Sequence, residues 1–452
     1  MTSALQTHSS DSDVQGMEHS TPHSHVISTL AQRFATEAPA LIDALVFDYQ
    51  FARGAAPRHV QEALAYILAW PSVQVAPPSH ADPDRPAQVC GGTAILLHDD
   101  APFTSFARTV PAAVLSGCDR IVVNVAAEAT ATRALLERVC SQLPNVEIQA
   151  ERSSTFLFRA LTDADIRTVW AGGDAHLLAP FEALVESSGC QVFLESPGND
   201  PIIVADGADI DAVARETARL AFRDGGLDPA SPNRVYVLEA LHDAFSTRVC
   251  AYAAAYEMAQ YNDIACSVSP MRSREAREHI YELLDEAEQS GAVPAVGLIF
   301  RQFSGQTEPT LYPTVVVDCR ATLRIVRERT RGPVLPLVPY SDTDALLKML
   351  DDTAGPDGLV GAAVTLFGDA ALQEPLSKRF SYLCGKGGPH ASDTREARLA
   401  WGGGPASCRL LSGREGLERR YGPVDLMTFF SHAAPALVSD EQSLEASAHA
   451  AK

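Results

Sequence analysis

Lysine is scarce in this 452-residue chain. Only four of its 36 basic residues are Lys, a bias toward Arg that reads as genome composition rather than as a demand of the fold. Positive charge is scarce as well: the formal net charge is -21. That excludes nucleic acid and anionic membrane as main partners, because both are held by basic patches. No apolar run approaches the ~20 residues that a membrane helix needs. No basic region followed by an apolar core opens the chain, so no secretory leader is expected. None of the nine Cys (positions 90, 118, 140, 190, 250, 266, 319, 384 and 408) forms a CxxC pair. Most sit in apolar runs such as Gly189-Cys190-Gln191-Val192-Phe193. They read as buried, reduced thiols of a cytoplasmic protein rather than as a zinc site or disulfide framework. What is present is ordinary for a globular protein: 46% hydrophobic and 21% charged residues, in a chain long enough for two or three domains.

Residues 1–25 are rich in Ser, Thr, His and Asp without periodicity and are expected to be a disordered tail, as are 436–452. His8, His19, His23 and His25 lie in that tail, where no fixed geometry would hold a metal. Residues 26–70 read as helical, and the Pro- and Asp-rich stretch 71–86 as a loop. From residue 92, short Val/Ile/Leu runs alternate with amphipathic stretches. Strands are expected at 94–97, 121–125, 146–149, 168–171 and 191–195, with helices at 103–115, 129–143 and 175–187. The pattern then restarts, with strands at 202–205, 235–238, 296–300, 314–317, 334–338 and 363–366. Helices are expected at about 210–223, 238–259, 273–290 and 342–352, the first opened by Asp209-Ile210-Asp211. Two successive parallel α/β sheets imply two lobes with a cleft between them.

Several segments, in order, resemble the aldehyde dehydrogenase superfamily. Leu194-Glu195-Ser196-Pro197-Gly198-Asn199-Asp200-Pro201, followed by an apolar strand and Asp209-Ile210-Asp211, resembles the family's Leu-Glu-Leu-Gly-Gly-Lys-x-Pro region. Gly226-Leu227-Asp228-Pro229-Ala230-Ser231-Pro232-Asn233-Arg234 resembles Gly-Gln-x-Cys-x-Ala-x-x-Arg, the nucleophile segment. Gly332-Pro333-Val334 resembles the end of Glu-x-Phe-Gly-Pro-Val, and Trp401-Gly402-Gly403 with Ser412-Gly413-Arg414-Glu415 resembles the family's closing region. The resemblance covers roughly residues 30–430. It implies two Rossmann-like three-layer lobes and a reduced oligomerisation element. The implied boundaries are 26–195 with 412–435 for the dinucleotide-binding-like lobe and 196–411 for the catalytic-like lobe. The implied activity is NAD(P)-dependent aldehyde oxidation, and the implied assembly a homo-oligomer.

The departures from the family pattern bear on that activity. Pro229 takes the place of the Cys nucleophile and offers no lone pair or acidic proton for covalent catalysis. Residues 224–236 contain no Cys in any register. Glu195 is retained at the position of the general base. Asp100, in His98-Asp99-Asp100-Ala101-Pro102, falls where the family places the oxyanion-binding Asn; a carboxylate there would repel what the amide attracts. Among the implied cofactor contacts, the ribose-binding Lys falls at Asn124 and the nicotinamide-ribose Glu at Arg329, with Arg331 at the neighbouring Phe. Gly172-Gly173 matches the turn that contacts the pyrophosphate, and reads equally well as a plain tight turn. The implied cofactor is therefore NAD or NADP by resemblance only, or none.

Each candidate also has a plainer role. Glu195 reads as a strand-end carboxylate bonded to local N–H groups, and Asp100 as the cap of the helix that Pro102 begins. Arg329 and Arg331 read as a solvated face or as a phosphate or carboxylate site, and Cys250 and Cys266 as core residues. No metal site is expected. The favoured expectation is a catalytically impaired homologue that binds a small molecule or a protein partner. Two alternatives remain open: a divergent oxidoreductase working without Cys, and a hydrolase built on converging His98, Asp100, Glu195 and Asp228.

Overall fold

The computed structural model describes residues 22–70, 91–174, 176–354, 360–384, 408–412, 418–421 and 426–431. The chain opens with two helices, α1 (Pro22–Tyr49) and α2 (Ala56–Ala69), followed by β1 (Gly92–Leu96), α3 (Pro102–Leu115), β2 (Ile121–Val125), α4 (Thr130–Val139) and β3 (Val146–Ala150). It continues through α5 (Ser153–Thr162), β4 (Ile166–Gly172), α6 (Glu182–Ser188) and β5 (Gln191–Glu195). Residues 22–25, expected in the disordered tail, are the first turn of α1. Pro at the first helical position has its φ preset and lacks only an N–H that would have no partner there. Helix α5 was not expected, and the helix expected over 175–187 is confined to its second half by a 3-10 turn at Ala179–Phe181.

A second set follows: β6 (Pro201–Val204), α7 (Ile210–Ala221), β7 (Arg234–Leu238), α8 (Glu239–Ala254), α9 (Arg274–Gln289), β8 (Val293–Val296), β9 (Phe300–Arg301), β10 (Thr310–Leu311) and β11 (Thr314–Val317). Then come α10 (Arg324–Arg327), β12 (Val334–Tyr340), α11 (Thr343–Asp351), β13 (Gly361–Phe367), α12 (Gln373–Ser377) and β14 (Phe380–Cys384). The caps match the acidic and hydroxyl residues before each helix: Asp209, Ser273 and Asp342 accept from Ala212, Ala276 and Ala345 N–H. The final elements are β15 (Cys408–Ser412), β16 (Glu418–Tyr421) and α13 (Leu426–Phe430). The 401–403 and 413–415 motifs lie outside the described residues.

The first sheet runs β16-β15-β5-β4-β1-β2-β3, parallel from β5 to β3 and antiparallel where β15 joins β5. Strand β15 of this sheet begins at Cys408. The second runs β14-β13-β6-β7-β12-β11-β8, parallel except at the β8 edge. Strands β2 and β5 are buried along their whole length, as strands covered by helices on both faces must be. In the first sheet the chain winds outward from β1 through β2 to β3, then crosses back to lay β4 on the other side of β1. The reversal lies between β1 and β4, and past their C-terminal ends is the place where open α/β sheets form their ligand crevice.

The N-terminal helices belong to the first lobe's core. Phe34 of α1 packs edge-on against Phe103 at 6.0 Å and stacks with Phe106 at 6.3 Å, and Trp70 Nε1 donates to the Ala107 carbonyl at 2.9 Å. Asp48 at the end of α1 accepts from Thr132 N and Oγ1, satisfying the first turn of α4. Replacing Phe34 with Ala should therefore cost about 3–5 kcal/mol, as for other buried aromatics. Urea unfolding checks this, and a loss under 1 kcal/mol would separate α1 from the core.

Candidate functional site

The crevice is framed by two short segments, His98–Asp100 after β1 and Gly172–Asp174 after β4, and faced by the loop carrying Pro229. Gly172 ends β4 with an ordinary negative φ, so no tight turn requires it. It is glycine because a Cβ would lie 2.9 Å from His98 Cβ and 3.0 Å from the His98 backbone nitrogen. The two segments are thus packed directly together.

Each sequence-derived carboxylate is engaged by an arginine. Both oxygens of Glu195, at the end of β5, are occupied: Arg108 Nη1 of α3 donates to one at 2.8 Å and Trp170 Nε1 of β4 to the other at 3.1 Å. Both members of that ion pair are buried. Asp100 does not cap α3; Ala101 is the N-cap and no side chain bonds the first turn. Asp100 instead accepts from Arg272 Nε at 2.8 Å, and its own N–H donates to His98 Nδ1 at 3.1 Å. Arg272 comes from the second lobe, also bonds the Tyr49 carbonyl, and lies 4.5 Å over the Phe51 ring. Burial alone would raise the Asp100 carboxyl, but Arg272, His98 and Arg331 together hold it below its ordinary value. Asp228 accepts from Arg223 Nε at 2.6 Å and, through its other oxygen, from Ala230 N–H at 2.9 Å. His98, Asp100, Glu195 and Asp228 therefore do not form a pocket of free acid and base groups. Among the described residues no group of three or more His, Cys, Asp or Glu is arranged to hold a metal.

The loop at the nucleophile position is held from two sides. Arg223 through Gly226 form a 3-10 turn with Asp224, Gly225 and Gly226 in left-handed conformation. Gly226 admits no side chain, since a Cβ would lie 2.3 Å from the Gly332 carbonyl oxygen. On the α2 side, Arg58 bonds Asp224 at 2.7 Å and Glu62 pairs with Arg223. Burial works against the Arg223 charge, but Asp228, Glu62 and Asp224 outweigh it and raise its pKa. On the other side Arg329 donates to four backbone carbonyls: Gly198 at 2.8 Å, Ser231 at 3.3 Å, Gly226 at 3.3 Å and Asp228 at 2.6 Å. Both readings of Arg329, a solvated face and a phosphate or carboxylate site, are corrected by these bonds, which commit its terminal nitrogens to backbone carbonyls. Pro229 itself is partly exposed between these anchors. Five of the described cysteines are shifted away from nucleophile activation: burial pushes Cys140 and Cys319 up to about 12 and also raises Cys190, Cys250 and Cys266.

The positions implied as cofactor contacts are engaged within the protein. Asn124 closes a double hydrogen bond with the Glu151 backbone, Nδ2 to the carbonyl at 3.0 Å and Oδ1 from the N–H at 2.9 Å, so its amide extends the β2–β3 ladder. The Gly172-Gly173 segment runs into Asp174, which pairs with Arg331 of the second lobe at 3.1 Å. Sequence reasoning missed Arg108, Arg272 and Arg223. A lone arginine inside an otherwise buried, apolar α3 is a signal that a buried carboxylate waits for it.

The sequence model of the aldehyde dehydrogenase family matches residues 90–372, and the chain belongs to that family. A probable succinate-semialdehyde dehydrogenase (NADP+) of Sinorhizobium fredii is 30% identical over 163 residues, 36% of this chain and 33% of the relative. A succinate-semialdehyde dehydrogenase (NADP+) of Schizosaccharomyces pombe is 26% identical over 281 residues, 61% of this chain and 55% of the relative. The match thus spans between a third and just over half of these relatives' length. Lactaldehyde dehydrogenase from Escherichia coli shares the fold with a TM-score of 0.73 at 20% identity, over 89% of this chain and 86% of that one. A Pseudomonas syringae aldehyde dehydrogenase variant complexed with NAD+ and octanal does so with 0.74 at 16% identity, over 90% and 84%.

Two measurements test this geometry. Glu195→Gln should cost about 3–5 kcal/mol in urea unfolding, because it leaves the Arg108 charge buried without its partner; an unchanged midpoint would show that Glu195 is free. Acid should also weaken the fold. Burial lowers the pKa of His59 and His98 despite neighbouring carboxylates, Asp224, Asp228 and Glu62 for the first and Asp100 and Glu195 for the second. The unfolded imidazoles take up protons near 6.5 and the folded ones only below it, so the unfolded state binds more protons in that window and stability is lost as pH falls. The urea midpoint should drop between about pH 7.5 and about pH 5.5; a flat profile would contradict the burial of both rings.

Proposed function

We propose that this chain is a catalytically silent member of the aldehyde dehydrogenase family, with a binding or regulatory role toward a small molecule or a protein partner. The observation that carries the reading is the loop at Pro229, where a residue without a nucleophilic atom is fixed by Arg329 and Arg223. Cys-dependent aldehyde oxidation needs a thiolate to form the hemithioacetal, a donor for the oxyanion and a base for thioester hydrolysis. Here the three positions hold Pro229, an arginine-paired Asp100 and an arginine-paired Glu195. Glu195 and Asp100 serve in this reading as anchors of the lobes, and Asn124, Gly172 and Gly173 as sheet and packing residues. A cytoplasmic location and a homo-oligomeric state belong to the same proposal. Seven described cysteines form no disulfide, and no described helix is long and apolar enough to cross a membrane.

The test is reduction of NAD+ and NADP+ by purified protein with aldehydes of the kinds named for its relatives: succinate semialdehyde, lactaldehyde and octanal. No turnover above the protein-free rate is expected, and none should appear on Pro229→Cys alone, because the oxyanion position holds a carboxylate and the retained Glu195 is paired with Arg108. Aldehyde-dependent reduction by the unaltered chain would overturn the proposal. Turnover that also survived Glu195→Gln and Asp100→Asn would point to a site elsewhere.

A further inference from the structure

The crevice past β1 and β4 is where a doubly wound sheet accepts an anionic ligand, usually against the N-terminus of the helix that follows the first strand. In this chain the crevice is already furnished from within. Asp100 stands two residues ahead of Pro102, the first residue of α3, so the protein's own carboxylate fronts that helix start. Asp174 brings a second carboxylate to the end of β4. Both are met by second-lobe guanidinium groups, Arg272 at 2.8 Å from Asp100 and Arg331 at 3.1 Å from Asp174. Gly172 and His98 are packed too closely for a further group to pass between them. A pyrophosphate brought to this place would face two carboxylates and would compete with them for both arginines.

We propose that the crevice of the first lobe receives Arg272 and Arg331 of the second lobe in place of a dinucleotide, so that the two lobes are held together without cofactor. This goes beyond the loss of catalysis, since a chain without a nucleophile can still hold NAD(P). The strained backbone supports it: Arg331 sits at φ 52, an uncommon conformation for a non-glycine residue, while its side chain reaches Asp174.

Calorimetric titration of the full chain with NAD+ and with NADP+ should give no saturable heat up to about 1 mM, and a Kd below about 1 mM for either would overturn the proposal. Hydrogen exchange tests the arginines directly. Arg331→Gln should speed amide exchange in residues 98–101 and 172–174 about threefold, the scale of a partly exposed ion pair. Arg272→Gln should speed it about tenfold or more, because Asp100 is then left buried and unpaired. Should the Arg272 variant fail to fold, the Arg331 variant carries the test. Exchanging the charges, Arg331→Asp with Asp174→Arg, should restore the slow exchange. Unchanged exchange in Arg331→Gln, or no restoration in the exchanged pair, would show that the contact does not hold the lobes.

Discussion

Arg329 fixes the site more than any other residue, by a bonding pattern rather than by pairing with an acid. Its guanidinium spans carbonyls from Gly198, Gly226, Asp228 and Ser231, so one side chain ties the segment after β5 to the loop before β7. Charge-assisted bonds of this kind are the stronger class. Burial lowers the Arg329 pKa, while Asp228, Asp100 and Asp200 act in the opposite direction. A guanidinium keeps its proton even so. The loop that would carry a nucleophile is thereby organised around a fixed cation, whose charged form Asp228, Asp100 and Asp200 favour.

The same logic recurs around the crevice. Glu195 answers Arg108, Asp100 answers Arg272, Asp228 answers Arg223 and Asp174 answers Arg331. The first three carboxylates are buried, so removing either partner would strand a charge at low dielectric. The fourth pair is partly exposed and contributes less energy. Position matters more there, because that pair joins the end of β4 to the segment that leads into β12. A cleft lined by matched pairs is electrostatically satisfied, and a satisfied cleft has little attraction for an additional anion.

How far the chain could be read in advance follows from where each feature is encoded. Strands β2, β5 and β11 were legible to the residue, because each is built around a short Val/Ile/Leu/Phe run of the kind that a covered strand needs. The run at 296–300 read as one strand and is not: β8 stops at Val296, and Leu298 turns left-handed at φ 60 before β9 begins at Phe300. That conformation is imposed by the neighbouring strand, where Thr314 Oγ1 accepts the Leu298 N–H, and local apolarity carries no trace of it. Helix α5 escaped notice because only Phe156, Leu157, Ala160 and Leu161 of its ten residues are buried. The site shows the same division. Pro229 and Asp100 announced themselves by their type at a motif position, whereas their arginine partners lie far along the chain: Arg108 is 87 residues from Glu195, and Arg272 is 172 from Asp100. Pairings of that span are properties of the assembled lobes.

These long-range pairs also explain why the substitutions belong together. Placing a carboxylate at 100 without Arg272 would bury a lone charge, and placing a guanidinium at 329 without the loop carbonyls would do the same with the opposite sign. Each buried charge is therefore destabilising without its partner. Reversing one position would then strand the other, so a thiol restored at 229 would face a loop still bonded to Arg329 and an oxyanion position still occupied by a carboxylate. The departures from the family pattern are in this sense coupled: Asp100, Asp228 and Arg329 each sit in a pairing that the assembled lobes complete.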